Sequence, residues 1–142
     1  MLEQLFSICG GLATLGWLLL VLLPRHRIAH LVAAVGIPLV IALVYVFLIA
    51  QYFGSSEGGF GSLADVSRLF SNQGLLLAGW VHYLAFDLFI GAWEVRDSQR
   101  HRVAHALVVP CLILTFLFGP IGLLAYLVLR TWRAGTADVT DS

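Results

Sequence analysis

The sequence predicts an all-α, polytopic membrane protein whose four transmembrane helices form two helical hairpins. Three observations carry that prediction. Of 142 residues, 60% are hydrophobic and 11% charged, against about 45–50% and about 25% in soluble domains. Four apolar stretches, at roughly 4–23, 29–52, 74–95 and 104–130, each reach the about 20 helical residues that cross a hydrocarbon core about 30 Å thick. Finally, Arg25-His26-Arg27-Ile28-Ala29-His30 recurs as Arg100-His101-Arg102-Val103-Ala104-His105, and each copy opens a span with a proline, Pro38 or Pro110. Both hairpins, 1–52 and 74–133, enter from the same side, so the internal repeat would be a parallel one about the membrane normal. Chance similarity between two Arg/His-rich turns is the alternative.

Taken in order, the first span starts at Glu3 instead of a basic segment and ends in Pro24-Arg25-His26-Arg27 instead of a small-residue cleavage site. That pattern fits an uncleaved anchor. After the second span, the segment 53–62 reads FGSSEGGFGS, with too little apolar surface to offset the entropy of ordering it. The region 53–73 is expected to be a flexible loop carrying a short interfacial helix, because Leu63, Val66, Leu69 and Phe70 follow helical spacing after a capping Ser62, with Asp65 in the first turn. The third span is the most polar. The fourth is longer than a crossing requires and contains Pro110 and Gly119-Pro120, so tilt, kink or a break into two half-helices is expected. Residues 1–133 then make a single four-helix domain, and 134–142 a disordered tail.

Arginines and acids balance at eight each, for a formal charge of zero, and there is no lysine. No basic surface exists to follow a nucleic-acid backbone, so nucleic acid is excluded as a partner. Cys9 and Cys111 sit in apolar runs and make neither a disulfide framework nor a zinc signature. On a four-span reading, Arg25, Arg27, Arg96, Arg100 and Arg102 share one side, against Arg68, Arg130 and Arg133 on the other. The excess of arginine places the two turns inside and both termini outside. Membrane lipid is the expected partner, with assembly into a homo-oligomer for so short a chain.

The third span carries the chemistry. Asp87 lies near its middle, where a charge costs several kcal/mol. Trp80, Asp87 and Glu94 are spaced by seven and drift only about 20° per step, so they form one stripe. Gly91 lies on the same face and leaves room for a ligand or a neighbouring helix. Tyr83 is one turn from Asp87, about 40° around, within reach of the same cavity. His82 lies about 140° from Asp87, so those two cannot share a metal from one helix. His26/His30 and His101/His105 have the i, i+4 spacing of metal-binding pairs, with Glu94 and Asp97 on the same membrane side. The adjacent guanidinium groups oppose a cation and favour lipid phosphate, so no metal is assigned. His105, the deepest of the four in its span, is placed to face Glu94 across the hairpin, and Asp87 is expected to find its partner in His105 or His30. No nucleophile with a neighbouring base is present, so hydrolase chemistry has no support.

GWVHYLAFDLFIGAWEVRD in the third span, followed by PCLILTFLFGPIGLLAY in the fourth, resembles the abscisic-acid-deficient-four-like family of small four-span membrane proteins from plastids, cyanobacteria and other bacteria. The likeness covers residues 79–130, and Trp80, His82, Asp87, Gly91, His105, Pro110 and Phe118-Gly119-Pro120 match its pattern. The resemblance implies carotenoid metabolism, through the opening of a carotenoid 5,6-epoxide to an allene in neoxanthin formation, with no redox change and no cofactor. The ending Ala-Asp-Val-Thr-Asp-Ser and the lack of a plastid transit peptide point to a bacterial member in an inner membrane.

On that implication the chain is a redox-neutral isomerase acting on a carotenoid or related isoprenoid. A carboxyl withdrawn from water can keep its proton near neutrality and give it to the epoxide oxygen while a base removes a vinylic proton. Asp87 is the expected donor, and His82 or Glu94 the base. Trp80, Tyr83, Gly91, Trp93 and His105 are the expected substrate-binding residues, with Phe86 and Phe89 lining an apolar groove. Two other classes compete: a non-catalytic carotenoid- or lipid-binding or assembly protein whose polar stripe serves packing, and a small proton or ion pathway. The second is disfavoured because one acid at mid-depth leaves half the membrane uncrossed.

Overall fold

A computed structural model describes residues 1–134, and every regular element among them is helical. The expected disordered tail therefore falls outside the described residues, except for residue 134. Helix α1 spans Leu2–Leu22 and stops just before Pro24, as a proline restricts the residue ahead of it to extended backbone. Helix α2 (Arg27–Leu31) begins where His26 accepts the Ala29 N–H on Nδ1 at 3.1 Å. A π turn at Val32–Gly36 leads into α3 (Ile37–Tyr52). Pro38 has no N–H to give and its ring crowds the carbonyl four residues back. The wider π turn ahead of it relieves that crowding. The chain thus stays helical from Arg27 to Ser55.

Three helices, Leu2–Leu22, Arg27–Ser55 and α5 (Gln73–Arg100), are long and apolar enough to cross a membrane, with mean hydropathies of 2.2, 2.8 and 1.6. These mark a membrane protein. Between the second and third lies the short α4 (Leu63–Leu69), started by Ser62, whose hydroxyl accepts the Asp65 N–H at 3.1 Å and donates to Oδ2 of Asp65 at 2.8 Å. Asn72 caps α5 through Oδ1, which accepts from Gly74 at 2.9 Å and Leu75 at 3.2 Å.

Helix α5 is the axis of the fold and packs against α1, α3, α6 and α7. Lipid tails are as apolar as leucine, so close contact rather than burial from water must hold such helices together. The sequence provides it with small residues: Gly16 of α1 faces Leu88, and Gly91 of α5 lies against the Trp17 ring, where a side chain would overlap it. Gly91 therefore serves a neighbouring helix and does not leave room for a ligand. Cys9 and Cys111 are both buried thiols.

The fourth apolar stretch is not one span. It breaks at Gly119, whose φ is +48°, into α6 (His105–Phe118, 14 residues) and α7 (Pro120–Ala134, 15 residues). At 1.5 Å per residue each half is about 21–23 Å long, short of a full crossing. Helix α7 folds back along α6. Gly122 lies against Thr115 so closely that a side chain would meet its backbone, and Tyr126 and Arg130 return to Asp97 near the end of α5. Hydropathy counts residues and not direction, which is why the run 104–130 reads as a single crossing. Glycine supplies the left-handed turn and proline suits the first helical position after it.

Two further expectations change as a result. Arg130 joins the end of α5 that carries Arg96 and Arg100, and Arg133 follows one turn later. Arg25, Arg27, Arg96, Arg100, Arg102, Arg130 and Arg133 then lie on one side and Arg68 on the other, so the end of α7 is not on the side of Met1. The repeated hexapeptides also differ in structure. In the first, His26 caps the new helix, whereas in the second Arg100 ends α5, His101 is its C-cap, Arg102 has φ +56°, and the new helix starts at His105. The motif is shifted by about a turn relative to the helix it precedes, so the two copies are not equivalent.

Candidate functional site

The stripe on α5 exists, but its three members meet three different neighbours. Trp80, near the start of the helix, stacks on Tyr83 at 5.5 Å and meets Phe6 of α1 in a tilted contact at 6.0 Å. These rings line a groove of about 680 Å³ that also takes in Phe70 and Leu76, with Glu3 and Gln73 as its polar members. Asp87 sits at the break between α6 and α7, where a Cβ on Gly119 would lie 2.9 Å from its Oδ1. Its Oδ2 is buried and has no hydrogen-bond partner among the described residues. The N-terminal end of α7, which starts at Pro120, lies beside this carboxyl. Tyr83 links the two places: it lines the groove, stands next to Asp87, and donates its hydroxyl to the Phe116 carbonyl at 3.1 Å.

Glu94 is fully buried. The Thr115 hydroxyl lies 2.9 Å from its Oε1, 3.1 Å from its Oε2, and 2.9 Å from the Cys111 carbonyl. A hydroxyl has one proton to give. It donates to a Glu94 oxygen or to the Cys111 carbonyl, one at a time. Glu94 thus ties α6 to α5.

One turn further along α5, Asp97 is buried with Arg130 and Tyr126. The Tyr126 hydroxyl donates to Asp97 Oδ2, and Arg130 Nε lies 3.4 Å from the same oxygen. His101 Nδ1 faces Asp97, 3.0 Å from its carbonyl and 3.4 Å from Oδ1, while a terminal guanidinium nitrogen of Arg130 donates to His101 Nε2 at 3.1 Å. Accepting on Nε2 requires the neutral ring with its proton on Nδ1. This network clamps α7 to α5. Trp93 adds an edge contact to the Tyr126 ring at 5.6 Å.

The remaining candidates lie apart. His82 is exposed and packs against Phe86 at 4.7 Å and Tyr45 at 5.8 Å. His105 does not face Glu94; its Nε2 bonds the Val21 carbonyl of α1 at 2.9 Å, because the turn places this first residue of α6 beside α1. His30 carries a buried Nε2 without a hydrogen-bond partner among the described residues. Neither is the partner of Asp87, whose neighbours include Gly119 and Tyr83, with the His82 charge also acting on it. Neither His pair shares a metal-binding face, since His26 and His101 are helix caps rather than members of the helix holding their partners. No group of three or more His, Cys, Asp or Glu side chains able to hold a metal ion occurs among the described residues. Thr115, Tyr126 and Arg130 are what sequence reasoning missed. The i, i+4 spacing of Tyr126 and Arg130 put them on one face, but a continuous fourth span sends that face away from Asp97.

The segment that builds the Asp87 site, from the third span through Gly119-Pro120 to Tyr126, falls within residues 4–126, which match the family model described as ABA DEFICIENT 4-like. The chain belongs to that family. A relative is Protein ABA DEFICIENT 4, chloroplastic, of Arabidopsis thaliana, 24% identical over an alignment of 121 residues that covers 79% of this chain and 54% of the plant protein. The chain thus spans about half the length of the curated relative it matches. No solved structure matches. Within this ABA DEFICIENT 4-like chain, the buried polar and charged residues among those described, Glu94, Asp97, Ser98, Thr115 and Arg130, all lie on α5, α6 and α7, inside the matched segment save for Arg130.

Proposed function

We propose that this membrane protein acts in carotenoid metabolism as a redox-neutral isomerase, opening an epoxide on a carotenoid or related isoprenoid from a bacterial inner membrane. The observation that carries the reading is the Asp87 carboxyl, held at a helix break with one oxygen unpartnered, next to a tyrosine that also lines an aromatic groove. The groove suits a long apolar molecule, held by ring contact and burial. In the reaction, a proton passes to the epoxide oxygen as its C–O bond breaks, and a vinylic C–H bond gives up its proton as its electrons form the allene. The oxygen remains as a hydroxyl, so product and substrate are isomers and no oxidant is needed. Asp87 supplies the first proton, and the Tyr83–Asp87 pair receives the second, which returns the carboxyl to its starting state. Of the bases expected from sequence, His82 is exposed and packs on Phe86 and Tyr45, and Glu94 lies two turns away, bonded to Thr115.

The test is Asp87→Asn, expressed in a carotenoid-making host. It preserves size and removes the transferable proton, so conversion of extracted pigment should fall about 10²–10⁴-fold while the protein still accumulates. His82→Gln and Glu94→Gln should reduce conversion less. A parental rate in Asp87→Asn refutes the assignment. A second reading, a non-catalytic carotenoid- or lipid-binding or assembly protein, is favoured by one observation: Glu94 and Asp97 are both consumed in joining helices. Pigment that co-purifies unchanged, read by absorption, would support it.

A further inference from the structure

We propose that the cavity between the two Arg-rich turns binds a phosphate group, carried by an anionic lipid headgroup or free in solution. The cavity has a volume of about 370 Å³ and brings together Arg25 from the first turn with Ser98, Gln99, Arg102 and His105 from the second. No carboxylate lines it. The nearest buried acid on this end of α5, Asp97, is turned to Tyr126, His101 and Arg130. Among the described residues no ion pair engages Arg25 or Arg102. Arg25 and Arg102, both exposed, line this one cavity, and two cations on one cavity are stabilised by an anion between them. Phosphate is the anion that their planar donor forks match, two parallel N–H···O bonds at a time.

The walls are set before any ligand arrives. The Gln99 side-chain amide donates to the Pro24 carbonyl at 2.6 Å, and His105 Nε2 bonds the Val21 carbonyl at 2.9 Å, so two hydrogen bonds between residues far apart in sequence hold the turns at a fixed separation. Arg102 adopts φ +56°, a left-handed conformation that a side chain rarely takes. Glycine would fit there without strain, yet the position carries an arginine, and that arginine lines the cavity. The first turn of α6 also ends on this cavity through Ala104 and His105, and Ala104 offers no side-chain cap. Its free N–H groups add to the positive field. Finally, the site lies at the end of α5 where seven of the eight arginines gather, the depth of lipid headgroups on that side.

The experiment uses the full chain purified in a non-ionic detergent and titrated with short-chain phosphatidylglycerol, with phosphatidylcholine, and with inorganic phosphate alone, reading thermal midpoint and bound lipid by native mass spectrometry. Phosphatidylglycerol should bind saturably and raise the midpoint. Arg25→Gln and Arg102→Gln should each weaken binding about tenfold or more, while Arg68→Gln on the opposite side leaves it unchanged. Arg102→Gly is the second variant: it removes the guanidinium while easing the backbone, so a weaker site in a chain at least as stable as the parent separates ligand loss from misfolding. Competition by inorganic phosphate assigns the site to free phosphate, and lipid binding without competition assigns it to a headgroup. Absence of saturable binding by any of the three, binding indifferent to both cavity arginines, or an equal loss in Arg68→Gln overturns the proposal.

Discussion

The two halves of the molecule carry nearly the same Arg/His-rich turn, but only the second buries polar and charged side chains among the described residues. The first, α1 through α3, buries Cys9, Ala13, Trp17, Leu20, Ala29, Ala33, Ile37, Ile41 and Leu48, all apolar. The second, α5 through α7, buries Glu94, Asp97, Ser98, Thr115, Tyr126 and Arg130 beside its apolar core. Their prolines also act differently. A π turn absorbs Pro38 and the helix runs on, whereas the second half turns back at Gly119-Pro120. The comparison teaches that a straight membrane helix can rest on packing alone, while a chain that reverses inside the apolar layer needs polar fastening to hold its returning arm. Thr115–Glu94 secures the descending helix and Arg130–Asp97–Tyr126 the returning one.

The sharpest way to break this contrast is topological and all-or-none. In a chain with Cys9 and Cys111 replaced by alanine, a cysteine at Thr131 should be labelled by a membrane-impermeant maleimide from the same side as one at Arg25, and a cysteine at Ser55 from the other. Labelling of Thr131→Cys together with Ser55→Cys would restore four crossings and remove the returning arm. The next effect is energetic. Removing one member of a buried ion pair costs about 3–5 kcal/mol, so Arg130→Ala should unfold at a much lower temperature by circular dichroism in detergent. The exposed Arg27→Ala in the first turn should shift stability by no more than about 0.5 kcal/mol. Equal losses would mean that the polar fastening is not special to the second half. Smallest of the three is a pair of glycine replacements. Gly119→Ala puts a side chain on a left-handed residue, with its Cβ 2.9 Å from Asp87 Oδ1, and should cost about 1–3 kcal/mol. Gly36→Ala, whose Cβ meets nothing within 4 Å, should gain up to about 1 kcal/mol from helix propensity. Reversed signs would place the hinge in the first half.

Part of the site was legible because it rests on local periodicity. The Trp80–Asp87–Glu94 stripe follows from spacing of seven on one helix, the adjacency of Tyr83 to Asp87 from a single turn, and the Ser62 cap from residue type at a helix start. The misses share one cause. Matching His105 to Glu94 and placing Arg130 opposite Arg100 each assumed that a helix or a span continued through a turn. Asp97, read from sequence only as a candidate ligand, gains its role from Tyr126 and Arg130, which lie 29 and 33 positions later in the chain.

What the sequence determined by itself is therefore whatever depends on sums and periods over neighbouring residues: helical class, residence in a membrane, the apolar lengths of the crossing helices, and the need to offset Asp87. What only the tertiary structure decided is which group meets each charge. Transfer of a side chain from water to the apolar layer is local and can be read residue by residue, but its compensation comes from partners brought close by the direction the chain takes after Gly119, and direction is a property of the packed whole.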